Sequence, residues 1–167
     1  MSWEIAAVTQ FAGGFMQASA LRQQGAAEAA AHNYNSLLRE RNADALEIEA
    51  DAIKFANEWA IADFFDDFEE LNKATSQAFR GNGWIAEGGT PLKVAMANAA
   101  EADEERVKMD FETASKISAT RERAVNERMK AQLDNMYGRL AIRRRRTQAG
   151  QALFASAGKA YNIYRTA

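Results

Sequence analysis

Only one strong break interrupts this chain of 167 residues. Gly81, Gly83, Gly88, Gly89 and Pro91, the sole proline, fall together in the segment GNGWIAEGGTP, and turn punctuation is almost absent from residues 15 to 80 and from 91 to 137. β-Branched residues are thin in both long stretches, which disfavours strands and leaves long helices. Gly81 or Gly83 suits a left-handed helix cap, and Thr90 followed by Pro91 reads as N-cap and first helical position, where a missing N–H costs nothing. The expected fold is all-α, a coiled-coil-like hairpin of two long antiparallel helices joined by a Gly-rich turn near 81–90. A small-residue and apolar N-terminal segment at 1–19 precedes an acidic first arm at 20–80. After the turn, a second arm at 91–150 ends basic and leads into an apolar tail at 151–167. Arms over 20–78 and 91–155 are helices of about 60 residues, each about 90 Å long at the α-helical rise.

Composition narrows the function classes. Alanine occurs 36 times and cysteine never, and there is one histidine. Disulfide scaffolds, thiolate metal sites and multi-histidine zinc or iron sites are therefore excluded, and a di-metal carboxylate bundle lacks its Glu-x-x-His pairs because His32 stands alone. No cofactor is expected. No nucleophile elbow, phosphate-binding P-loop or Gly-rich loop after a strand is present, so the chain reads as non-enzymatic. The net charge of −2 conceals an asymmetry: residues 1–80 carry 13 acids and 6 bases, residues 81–167 carry 10 acids and 15 bases. Such a split orients a subunit in an assembly or draws one end toward phosphate. No targeting signal reads convincingly at the N-terminus, and no run of about 18 apolar residues exists for an ordinary transmembrane helix.

On the first arm, Ile48, Ala52, Phe55, Trp59 and Ala62 step by four and three, the spacing expected of a stripe facing a partner helix. Phe64, Phe65, Phe68, Leu71 and Phe79 add an aromatic packing patch near the turn, with Asp63, Asp66, Asp67, Glu69 and Glu70 between them as a solvated acidic face. On the second arm, Val107, Ser118, Met129 and Leu140 form one series of period 11, and Ala114, Val125 and Met136 another. That period, about 3.67 residues per turn, predicts a straight or slightly right-handed course against the partner. Glu122 interrupts the intermediate series of Phe111 and Leu133. Two helices bury one stripe apiece, so the remaining apolar surface predicts an obligate assembly component whose isolated chain is marginally folded or self-associates.

Arg143, Arg144, Arg145 and Arg146 form the sharpest charged feature. Successive helical residues are about 100° apart, so the four fan around the helix and cannot all touch one phosphate track. DNA phosphates and acidic arms of neighbouring subunits are the candidate partners, with a solvated girdle as the plain alternative. Pivoting the hairpin on residues 85 and 86 sets residue i opposite about 171 − i, which brings Asp63 to Glu70 near the largely acidic stretch Glu101 to Lys108. The acidic tip and the basic girdle are then better matched between molecules than within one. The ends differ from the arms: Trp3, Ile5, Val8, Phe11, Phe15 and Met16, and Leu153, Phe154, Tyr161, Ile163 and Tyr164, alternate with glycines and small residues. Packing on other proteins is the expected use of such ends, ahead of entry into a membrane.

Several of these elements resemble one family. The run Gln17, Ala18, Ser19, Ala20 through Gln23, Gln24, Gly25, Ala26, Ala27, then Asn33-Tyr34-Asn35 and Glu40-Arg41-Asn42-Ala43, is similar to the first arm of the internal virion (ejection or core) proteins of short-tailed bacteriophages. Gly88-Gly89-Thr90-Pro91-Leu92-Lys93-Val94, followed by an Ala/Glu-rich helix that turns basic, resembles their turn and second arm. The resemblance implies a homo-oligomer, ring or sheath, held inside the capsid near the portal with other internal virion proteins and packaged DNA. After release it implies a place in the host cell envelope, as part of a conduit for the genome. It carries no catalytic residues. A non-enzymatic helical adaptor of a head-to-tail connector or tail assembly is the alternative.

Overall fold

A computed structural model describes the backbone of residues 2–85 and 88–166, and side chains at 6, 8–85, 88–163 and 165. Ala86 and Glu87 of the turn, and the side chains of Trp3, Ile5 and Tyr164, lie outside the described residues. Two helices packed against each other, α1 (Ser2–Gly81) and α2 (Gly89–Thr166), make up the fold, with no strand among the described residues. Both run further than the arms of about 60 residues expected from the sequence, because the terminal segments continue as helix. Glycine in a helix interior costs only about 1 kcal/mol, too little to end helices of 80 and 78 residues.

The break falls where the glycines cluster. Gly83 takes a left-handed φ of 81°, the Gly83 N–H donates to the Arg80 carbonyl at 3.0 Å, and the Trp84 N–H donates to the Phe79 carbonyl at 3.0 Å. That pair of bonds is a Schellman cap with Gly83 as its left-handed residue, and Gly81 ends the helix. The second helix is bounded at Gly89, whose φ of 63° is left-handed, and Thr90 and Pro91 stand at its start. Pro91 is tolerated there because the first turn has no intrahelical acceptor for its N–H.

The chain divides into two compact units: a terminal unit of Met1–Ala43 with Asn126–Ala167, and a turn unit of Asp44–Val125. In the terminal unit the helices meet along a seam of small residues. Gly14, Ala18, Gly25, Ala29, Ser36 and Ala43 from α1 are buried against Ala131, Gly138, Ala149 and Ser156 from α2. The largest fully buried side chain among the described residues is a serine, Ser36. Ala29, Ser36 and Ala43 repeat at seven residues, as do Ala131, Gly138 and Arg145, which keeps one face of each helix toward the other. Residue i stands opposite 170 − i: Gly14 faces Ser156 and Gly25 faces Arg145. The expected pairing is thus displaced by one residue.

The turn unit keeps that register, with Asn57 opposite Thr113, but its seam is bulkier and less closed. Ala50, Ala102, Thr120 and Ala124 are buried, whereas Ile53, Asn57, Ile61, Phe64, Phe68 and Phe79 are half-buried.

Two sequence expectations are corrected here. Ile48, Ala52, Phe55, Trp59 and Ala62 do not face α2: Ile48 is 71% exposed and Trp59 60%. The 11-residue series on α2 is likewise exposed, from Val107, Phe111, Ala114 and Ser118 through Val125, Met129, Leu133, Met136 and Leu140. Steps of four and three mark a stripe along any side of a helix, so spacing alone does not choose the buried side. In the terminal unit close approach of the helices chooses it, because a backbone-to-backbone seam admits glycine, alanine and serine. In the turn unit the same face of α1 continues seven and fourteen residues past Ala50, at half-buried Asn57 and Phe64, which leaves Phe55 and Trp59 outside.

Candidate functional site

The four consecutive arginines do not form one surface. Arg145 lies one heptad beyond Gly138 and occupies the seam, where its Nη2 donates to Glu28 Oε1 and its Nη1 to Gln148 Oε1 at 3.2 Å. Gly25 makes this possible: a Cβ there would stand 2.8 Å from Arg145 Cβ, so the space a side chain would fill holds the arginine stem. The Glu28 carboxyl is held below its usual range, first by the hydrogen bond from Arg145. The remaining three are exposed and split between two grooves. Arg146 lines a groove of about 400 Å³ with Arg22, Ala26 and Ile142. Arg143 and Arg144 line another, of about 610 Å³, with Glu28, His32, Tyr137 and Thr147. Arg22 and Glu28 were not legible as partners of this run, because each depends on the register across the seam.

Next to the arginines a polar belt crosses the same unit. The Arg39 Nε donates to Asp134 Oδ2 at 2.7 Å, Arg39 Nη1 reaches Glu127 Oε2 at 3.4 Å, and Lys130 Nζ lies 2.6 Å from Glu127 Oε1. His32 Nδ1 lies 3.3 Å from Asp134 Oδ1, and the His32 and Tyr137 rings stand 6.0 Å apart, tilted by 40°. The hydrogen bond from Arg39 lowers the Asp134 carboxyl below its ordinary value, and that from Lys130 lowers Glu127. His32 and Arg39 are seven apart, as are Glu127 and Asp134, so the belt takes seam positions that the small residues leave. It ties the two helices together in register by charge.

In the turn unit, Phe64, Phe68 and Leu71 line an open groove of about 420 Å³ with Asn98, Glu101, Ala102 and Glu105. Phe64 and Phe65 meet edge to face at 5.6 Å; Phe64, Phe65, Phe68 and Phe79 are half-buried and Leu71 is exposed. Both acids of this groove, Glu101 and Glu105, come from α2 and stand opposite the apolar α1 lining. The hydrogen bond from Thr113 Oγ1 to Asn57 Oδ1 at 2.8 Å and that from Asn57 Nδ2 to Asp110 Oδ1 at 3.2 Å cross the seam with polar groups, beside an exposed ion pair of Arg121 with Asp51 at 3.6 Å.

The fold concentrates charge by unit. The terminal unit holds 12 basic and 5 acidic residues, a net +7; the turn unit holds 9 basic and 18 acidic residues, a net −9. Among the described residues, no group of three histidine, cysteine or acidic side chains could hold a metal ion, and no helical stretch is long and apolar enough to cross a membrane.

These features define a helical hairpin whose chemistry lies on its surfaces: a basic, small-seamed unit and an acidic, aromatic one, both with apolar residues facing outward. Comparison with protein-family models, with curated proteins and with solved structures finds no match.

Proposed function

We propose that this chain is a non-enzymatic structural subunit of a multi-copy assembly, and within that class an internal virion protein of a short-tailed phage that takes part in genome delivery. The observation that carries the first step is the outward placement of Phe55, Trp59, Phe111, Met129 and Leu133, each more than two-fifths exposed. Large apolar side chains in rows along the back of a helix mark surfaces that a partner covers. The second step rests on the resemblance in Gln17–Ala27, Asn33–Asn35, Glu40–Ala43 and Gly88–Val94. In that role the subunits stand near the portal beside other internal virion proteins and packaged DNA, and reach the host envelope after release. The exposed Arg143, Arg144 and Arg146 supply a contact to acidic partners in the assembly.

Mass spectrometry of purified particles tests this reading. The chain is expected at fixed stoichiometry in full virions and at a much reduced level in particles emptied of DNA. Retention in emptied particles would replace it with the head-to-tail adaptor reading, and absence from both would overturn the virion assignment.

A further inference from the structure

Two exposed apolar rows remain unmatched by anything within their own unit. On α1, in the turn unit, Ile48, Ala52, Phe55, Trp59 and Ala62 run along the side away from the seam: Phe55 is five residues past buried Ala50, about 140° further round the helix. The Phe55 and Trp59 rings touch edge to face at 6.0 Å and brace each other in an exposed position. On α2, in the terminal unit, Met129, Leu133, Met136 and Leu140 occupy the equivalent side, Met136 being five residues past buried Ala131. The rows span 15 and 12 residues.

Their flanks are opposite in sign. Glu49, Asp51, Glu58, Asp63 and Asp66 border the α1 row, and Lys130, Arg139, Arg143 and Arg144 border the α2 row. Asp51 and Glu58 have in-chain partners in Arg121, at 3.6 Å, and Lys54, at 3.8 Å, while Lys130 is engaged by Glu127. Glu49, Asp63 and Asp66 then supply the acidic border, and Arg139, Arg143 and Arg144 the basic one. An apolar centre within a charged rim is the anatomy of a specific protein interface, and opposite rims set partner and register.

We propose that the α1 row of the turn unit docks on the α2 row of the terminal unit of a second copy of this chain. The contact uses two different surfaces, and every copy carries both, so it is heterologous: each subunit has one donor row and one acceptor row, and addition continues until a ring closes or a filament grows. This rests on the reading of the chain as a multi-copy subunit, and it identifies the partner as the chain itself. DNA fits the α1 row poorly because that border is acidic. A membrane surface fits it poorly too, because acidic flanks oppose anionic lipid.

The chain has no cysteine, so the contact can be tested by disulfide trapping. Phe55 and Leu133 stand near the middle of their rows and meet whichever way the rows run. Phe55→Cys protein and Leu133→Cys protein, made with tags of different mass and mixed under mild oxidation, are expected to give the mixed disulfide in several-fold excess over either homodimer. Preferential coupling of Phe55→Cys to itself, or to Phe111→Cys, would overturn the proposal. In a second arm, sedimentation velocity is run on the parent, on E49K/D63K/D66K and on R139E/R143E/R144E. The parent should self-associate, more weakly as salt rises, and each variant alone should associate at least about tenfold more weakly. Mixing the two variants should restore association, since each reversed row meets its reversed complement. A parent that stays monomeric at tens of micromolar, or a mixture that fails to associate while both variants keep the parent's helicity, would overturn the proposal. R139E/R143E/R144E that loses affinity for duplex DNA while self-associating like the parent would assign those arginines to nucleic acid and do the same. Presence of the chain in virions is independent of each of these results, so failure of this interface and failure of the virion reading are separately visible.

Discussion

The terminal and turn units are built from the same two helices in the same antiparallel register, yet they solve the packing of two helices differently. In the terminal unit small residues let the backbones approach, and each seam glycine makes room for the side chain opposite it: Arg145 opposite Gly25, Ser156 opposite Gly14, His32 opposite Gly138. Fit there depends on volumes of one or two methyl groups. In the turn unit the contact is made by half-buried aromatic and branched side chains, with Asn57 and Thr113 hydrogen-bonded across it. What differs is tolerance: a tight seam fails when a side chain grows, and an open aromatic seam fails when one shrinks.

The widest separation of the two units should come from enlarging the tight seam. Gly25→Leu places four carbons where the Arg145 stem already lies, and a loss of about 3 kcal/mol is expected, the upper range of core overpacking. Hydrogen exchange should speed up first at amides of 1–43 and 126–167. Equal acceleration in both units would erase the distinction. Phe68→Ala probes the other side of the comparison. Phe68 is only half-buried, so thermal melting should report about 1–2 kcal/mol, below the cost of emptying a closed core.

A finer contrast lies in two adjacent glycines. A Cβ at Gly14 would overlap the Ser156 side chain, whereas one at Gly13 meets nothing within 4 Å. Gly13→Ala should therefore raise stability by about 0.5–1 kcal/mol through helix propensity alone, and Gly14→Ala should lower it. Two melts of the same sign would show that the seam yields at this end.

The smallest expected effect is on pH. Glu28, Glu127 and Asp134, all in the terminal unit, have carboxyl groups held below their ordinary values by Arg145, Lys130 and Arg39 respectively. A folded-state value below the unfolded one adds stability above the ordinary carboxylate range, and that stability is lost as pH falls through the folded value. Melting of the terminal unit should thus decline on acidification from neutral to below pH 4, and Asp134→Asn should reduce the size of the decline. All three groups are solvent-accessible at the helix edge, so the shift should be modest and should shrink with salt.

The unbroken residues 15–80 and 91–137, with one cluster of glycines and the sole proline between them, determined a helical hairpin and the place of its turn, because local backbone preference decides where a helix can continue. The near-symmetric pivot also set the register to within one residue. Which side of each helix is buried was decided only in the tertiary structure. The aromatic row at Ile48–Ala62 and the small-residue row at Ala29, Ser36, Ala43 and Ala50 obey equally regular spacing, and hydrophobicity favours burying the first. The side that faces the partner continues along α1 at steps of seven, from Ala29, Ser36, Ala43 and Ala50 to half-buried Asn57 and Phe64, and this leaves Phe55 and Trp59 on the outer side. The close approach of the helices in the terminal unit draws Arg145 out of its run of four into the seam beside Gly25, and the pairing of the arms converts a difference between two halves of the chain into a difference between two units of opposite charge.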